Sequence, residues 1–301
     1  MSPTQAPPPA APRAQTPALD VRDLSVRYGD VHALDSASLT LPRGSVTGLV
    51  GVNGSGKSTL MRAVVGAVRP TSGTVTILGR PADVARREGA LAHLPQSQDV
   101  DWTFPVVVRD VVETGRYPHL GPLRRLRAHD RAVVADALER VGLADLADRQ
   151  VGRLSGGQRQ RVFLARAIAQ EADVLLLDEP FSGVDKTQEA GMLTLLRELA
   201  AEGTSVLVST HDLPTLPGLV DQVVLLQRRV LFAGPPDEAF APERLVEAFT
   251  GLDLGRIGRL GTQAGTGAAD EAAPAVASPA GTSAAVASPT STSPTTRGSA
   301  R

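Results

Sequence analysis

The run Gly51-Val52-Asn53-Gly54-Ser55-Gly56-Lys57-Ser58 limits the possible folds of this chain more than any other segment. It fits the pattern G-x-x-x-x-G-K-S/T once. A short apolar strand at 45–50 leads into it and a helical pattern at 58–68 leaves it, the context in which such a loop binds phosphate. The glycines allow backbone N–H groups to converge on phosphate oxygens, and the following helix points its N-terminus at the same anion. Lys57 is one of only two lysines, with Lys186, among 31 basic residues. In this role it neutralises the β- and γ-phosphates, Ser58 offers its hydroxyl to Mg²⁺, and Thr59 adds a phosphate contact. A glycine turn that binds nothing is the plain alternative, and the flanking strand and helix argue against it.

The surrounding pattern is that of a parallel α/β sheet. Residues 19–28 alternate apolar and polar side chains, and 38–41 and 74–78 suit further short strands, together an antiparallel sheet beside the loop. Helical spacing runs over 130–141, 157–170 and 188–201. The run 174–177 is continuously apolar, as for a parallel strand covered on both faces, and 205–209 reads as another buried strand. Strands alternating with helices predict the parallel sheet. The run 174–177 closes on Asp178-Glu179, two carboxylates at a strand end. Leu154-Ser155-Gly156-Gly157-Gln158 opens the helix at 157–170, a second phosphate-binding N-terminus or else a simple cap.

The phosphate loop, the Ser-Gly-Gly-Gln loop and the acidic strand end, in that order, resemble the ATP-binding cassette family over roughly residues 18 to 250. The resemblance implies a P-loop NTPase (RecA-like) core, an antiparallel β subdomain and a small α-helical subdomain at about 97–165. It implies ATP and Mg²⁺ as cofactors, with contacts from Gly51, Asn53, Gly54, Ser55, Gly56, Lys57, Ser58 and Thr59. Asp178 would hold Mg²⁺ with Ser58, and Glu179 would polarise the attacking water. Ser155, Gly156, Gly157 and Gln158 would face the γ-phosphate held by a second copy, making the active form a homodimer. His211 resembles the switch histidine, and Gln96, in Leu94-Pro95-Gln96, the glutamine that links metal and water to the transporter contact. Tyr28 matches the adenine-stacking aromatic, although a tyrosine at the core edge is also consistent. Ser182-Gly183-Val184-Asp185 stands where the family commonly has Ser-Ala-Leu-Asp, and Asp185 keeps the intersubunit position.

The segment Asp99-Val100-Asp101-Trp102-Thr103-Phe104-Pro105 resembles cassettes of manganese, zinc and iron importers. Trp102 and Phe104 would anchor a partner helix or fill the small subdomain's core. Gly115-Arg116-Tyr117-Pro118-His119 resembles cassettes of ferric-siderophore, haem and cobalamin importers instead. The first match is longer and is preferred. The implied partners are integral-membrane permease subunits and, indirectly, an extracytoplasmic solute-binding protein, with the chain at the cytoplasmic face of the cell membrane. The five histidines show no ligand spacing and cysteine is absent, so cargo specificity is expected in the permease and binding protein.

Composition narrows the alternatives. A net charge of −1 over 301 residues gives no general pull toward nucleic acid. A soluble cassette in translation or DNA repair would need a second cassette or a long coiled-coil insertion, and neither is evident. A generic P-loop NTPase or kinase would lack the Ser-Gly-Gly-Gln loop. No apolar run is long enough to span a bilayer. Residues 1–17 and 251–301, rich in Pro, Ala, Ser, Thr and Gly, are expected to be disordered tails.

Overall fold

The computed structural model describes residues 16–96, 105–121, 123–211, 213 and 216–249, all within a compact unit spanning 1–264. The segment carrying Asp99, Asp101, Trp102 and Phe104 and nearly all of both expected tails lie outside the described residues.

Two sheets form the frame. Strands β1 (Leu19–Tyr28) and β2 (Val31–Leu41) pair as a hairpin. After β3 (Val46–Val50) and α1 (Lys57–Val64), β4 (Ser72–Ile77) and the short β5 (Arg80–Pro81) extend that hairpin into an antiparallel sheet of order β2-β1-β4-β5. Helix α2 (Ala82–Arg87) leads to β6 (Leu91–Leu94). Helices α3 (Val108–Glu113), α4 (Ala128–Arg140) and α5 (Gly156–Ala169) follow. The chain then returns through β7 (Val174–Asp178), α6 (Lys186–Ala201), β8 (Ser205–Thr210), β9 (Gln222–Gln227) and β10 (Arg229–Gly234). Helices α7 (Pro236–Ala239) and α8 (Pro242–Ala248) complete the described part. The second sheet has the order β10-β9-β3-β8-β7-β6, parallel except for β10.

The apolar runs explain this layering. Every residue of β3, β7 and β8 is buried. Alternate side chains serve opposite faces: Leu49, Leu176, Leu207 and Val224 pack with α1 and the antiparallel sheet, while Val50, Leu175, Leu177, Val206 and Leu225 join the helices α3 to α6. Among the described residues no helix is long and apolar enough to cross a membrane.

Several boundaries differ from expectation for identifiable reasons. Strand β2 begins at Val31, not at 38, because pairing with β1 holds its largely exposed first half at a sheet edge. Helix α1 stops at Val64, short of 68, because Gly66 turns left-handed at φ +78° and its N–H bonds Ala63 O; Arg86 Nη1 donates to Val64 O at 2.7 Å. Helix α6 starts at Lys186, before 188, because Asp185 caps it by accepting from the N–H groups of Thr187 and Gln188. Strands β6, β9 and β10 were not anticipated, although Val223, Val224, Leu225 and Leu226 form a fully apolar run.

The Gly115-Arg116-Tyr117 segment is a 3₁₀ turn, Thr114–His119, and its arginine points inward. Arg116 is only 2% exposed and bonds Asp130 at 3.1 Å, Glu171 at 2.6 Å and Ala169 O at 2.8 Å. It thereby ties the turn to α4 and to the end of α5. The Arg127 N–H and the Arg116 guanidinium hold the Asp130 carboxyl below the usual carboxylate range. Removing Arg116 strands a buried carboxylate, so Arg116→Ala should cost about 3–5 kcal/mol, measured by urea unfolding at neutral pH. The depressed Asp130 pKa supplies stability that is present above the unfolded value of about 3.9 and lost as pH falls through the folded value. The gap between wild type and Asp130→Asn should therefore narrow on the acid side of about pH 4.

Candidate functional site

The loop 51–58 connects the carboxyl end of the interior strand β3 to α1, outside the carboxyl ends of the parallel strands where such folds bind ligands. Gly54 and Gly56 have φ of +81° and +103°. A Cβ on Gly56 would lie 2.7 Å from Ala33 O, and one on Gly51 would lie 2.3 Å from Leu226 O. A second constraint comes from the β9–β10 turn. Arg228 N donates to Ser55 O at 2.7 Å, and Arg228 O accepts from Asp35 N at 2.8 Å. The main chain of one residue thus straps the loop to the antiparallel sheet.

Lys57 is buried, and its Nζ donates to Gly51 O at 2.8 Å and Val52 O at 3.2 Å. Burial pushes its pKa down, opposed by the carboxylates of Glu179 and Asp178. The cation therefore stands beside both acids in a desolvated setting, where exchange of loop carbonyls for phosphate oxygens is electrostatically favoured. Ser55 Oγ is buried and has no hydrogen-bond partner among the described residues. Ser58 and Thr59 sit half-buried on the first turn of α1, and Asn53 is exposed on the loop.

Asp178 ends β7 opposite Ser209 of β8, and Glu179 follows it directly. The Ser209 hydroxyl donates to Asp178 Oδ1 at 2.5 Å and accepts from the Glu179 N–H at 3.0 Å. Glu179 N also faces Ser209 O at 3.2 Å. Glu179 itself adopts φ +51°, a conformation that costs a non-glycine residue on the order of 1–2 kcal/mol. Its carboxylate receives Gln96 Nε2 at 3.0 Å on one oxygen and lies 3.3 Å from His211 Nδ1 on the other. Gln96 follows β6 and His211 follows β8, so three parallel strands deliver these groups to one point. Ser209 is the residue that sequence reasoning passed over as a site member. A polar side chain following the apolar run Val206-Leu207-Val208 is the available signal.

The remaining candidates form a second group. Ser155 caps α5, accepting from Gln158 N at 3.2 Å while its own N–H donates to Gln158 Oε1 at 3.0 Å. Ser155 and Gly156 are exposed, and Gly157 is buried against Gln188, whose Oε1 would stand 2.6 Å from a Cβ there. Asp185 caps α6 and bonds Gln188. Tyr28 is 46% exposed at the end of β1, before Gly29.

This geometry has counterparts among known proteins. The family model described as ABC transporter matches residues 34–182. A manganese transport system ATP-binding protein of Synechocystis is 47% identical over 78% of this chain and 91% of its own length. A chelated iron transport system membrane protein of Yersinia pestis is 46% identical over 78% of the chain and 80% of its own. The solved structure of cbiO1 from Clostridium perfringens, part of an ABC transporter complex, superimposes with a TM-score of 0.65 at 31% identity, covering 82% of this chain and 99% of that one.

Two substitutions separate the constraints on the loop. Gly54→Ala meets open space, so it should lose only the left-handed preference, about 1 kcal/mol. Gly56→Ala adds a collision with Ala33 O and should be the more destabilising of the two in thermal melts. Ser209→Ala leaves Asp178 without its donor and should cost about 1–3 kcal/mol by the same measurement.

Proposed function

The chain belongs to the ABC transporter family, and from that premise we propose that it energises an importer of divalent metal cations such as manganese, zinc or iron. Its activity is ATP hydrolysis coupled to transport. The proposed working form is a homodimer bound to integral-membrane permease subunits at the cytoplasmic face of the membrane, receiving cargo from an extracytoplasmic binding protein. The proposed cassette spans 18–250, with a helical subdomain at about 97–165. The observation that carries the catalytic reading is the Glu179 carboxylate, held by Gln96 and His211 beside the Lys57 loop.

The residues present suit an Mg²⁺-bound nucleoside triphosphate. The glycine cradle admits no Cβ at Gly51 or Gly56, and a carboxylate and a hydroxyl, Asp178 and Ser58, are the hard oxygen donors that Mg²⁺ prefers. Bound there, Mg²⁺ would neutralise charge developing on the phosphates. Lys57 and the loop amides grip the phosphate oxygens, and Tyr28 offers an exposed ring to the base. Glu179 orients the attacking water and takes up its proton. Gln96 and His211 fix the two carboxylate oxygens, and His211 reaches the γ-phosphate. Ser155, Gly156, Gly157 and Gln158 stand on a different helix from the phosphate loop, with Ser155 and Gly156 exposed. A second copy supplies them across the nucleotide, and Asp185 meets its counterpart nearby. ATP binds the closed pair better than the open pair, and that difference moves the docked permease helices.

The metal assignment is supported by the manganese and chelated iron names of the relatives. Arg116 of the Gly115-Arg116-Tyr117 segment is engaged in internal ion pairs and does not discriminate between the two cargo readings.

The test is uptake of manganese and zinc in vesicles holding the candidate permease and this chain. Glu179→Gln should retain ATP, accumulate as a dimer, lower hydrolysis by about 10²–10⁴-fold and stop uptake. Hydrolysis lost with metal uptake unchanged would overturn the cargo assignment.

A further inference from the structure

Between the 3₁₀ turn Thr114–His119 and α4, the chain makes a turn in which Arg124 N donates to Gly121 O at 2.9 Å. Leu123 occupies its tip and is 80% exposed. Tyr117 is 49% exposed, with the Arg124 guanidinium stacked 5.5 Å above its ring. Arg125 and Arg127 are exposed on the same short stretch. From Tyr117 to Arg131 the only acid is Asp130, which is buried and bound to Arg116. A chain of net charge −1 therefore concentrates positive charge around an exposed leucine and tyrosine.

We propose that this tip docks on an anionic lipid surface, Leu123 entering the headgroup region and Arg124, Arg125 and Arg127 meeting lipid phosphates. Charge selects the occupant: Arg124, Arg125 and Arg127 are exposed, and the only acid between Tyr117 and Arg131 is buried, so the tip complements a layer of lipid phosphates while Leu123 supplies the apolar contact. Tyrosine and arginine both suit that boundary, each joining an apolar body to a polar end. The attraction is electrostatic at long range and apolar at contact, the combination that holds peripheral proteins on membranes. The inference goes beyond the transport reading and is independent of the cargo, because the chain alone provides the readout.

The experiment is co-sedimentation of the purified full chain with vesicles of phosphatidylcholine alone or mixed with phosphatidylglycerol. Binding is expected on the mixed vesicles only and should weaken with added salt. Each arginine near the surface should contribute about fivefold, so the triple variant Arg124→Gln, Arg125→Gln, Arg127→Gln should bind roughly a hundredfold more weakly. Leu123→Asp should also lose binding. Both variants should keep wild-type ATP hydrolysis, which separates failure of this surface from failure of the ATPase reading. Equal binding to both vesicle types, or variants that bind like wild type, would overturn the proposal. So would an arginine-dependent association seen only when the permease is present in phosphatidylcholine vesicles, which would assign the surface to protein.

Discussion

Two carboxylates side by side at the end of a buried strand repel each other and resist burial, and everything around the site answers that constraint. One hydroxyl ties the two residues together, since Ser209 donates to the Asp178 carboxylate and accepts from the Glu179 main-chain N–H. Lys57 brings the compensating charge from the neighbouring strand-loop-helix unit. Gln96 and His211 then occupy the outer oxygens of Glu179. The parallel sheet is what makes this economical in chain length: β3, β6, β7 and β8 all end on the same side, so residues distant in sequence converge without long loops.

The core of this arrangement was legible in the sequence. The apolar runs that became β3, β7 and β8 were plain because both of their faces are buried, which removes alternation and leaves continuous hydrophobicity. The motif residues stand out for a chemical reason: the proposed phosphate site needs glycines, a cation and acids at set spacing. The order of strands was not legible, because parallel pairing joins segments far apart and leaves no local signature. Strand β6, only four residues long, gave too short a pattern to separate from a loop. The edge strand β2 was underestimated because half of it faces water, where polarity mimics a loop.

The arginines show a different limit. Arg116 and Arg124 are eight positions apart in one basic stretch, and nothing local distinguishes them. One is enclosed by two acids and a carbonyl, while the other lies open over a tyrosine. The difference arises from α5, whose backbone passes so close that even a Cβ on Gly115 would lie 2.3 Å from Arg166 O. A resemblance built on Gly115-Arg116-Tyr117 therefore records how the helical layer is packed.

The strap through Arg228 acts by main-chain atoms alone: its N–H holds Ser55 and its carbonyl holds Asp35. The contact itself makes no demand on the side chain at position 228, but the left-handed backbone does: φ +59° favours glycine or asparagine, penalises β-branched residues and excludes proline, which also lacks the N–H.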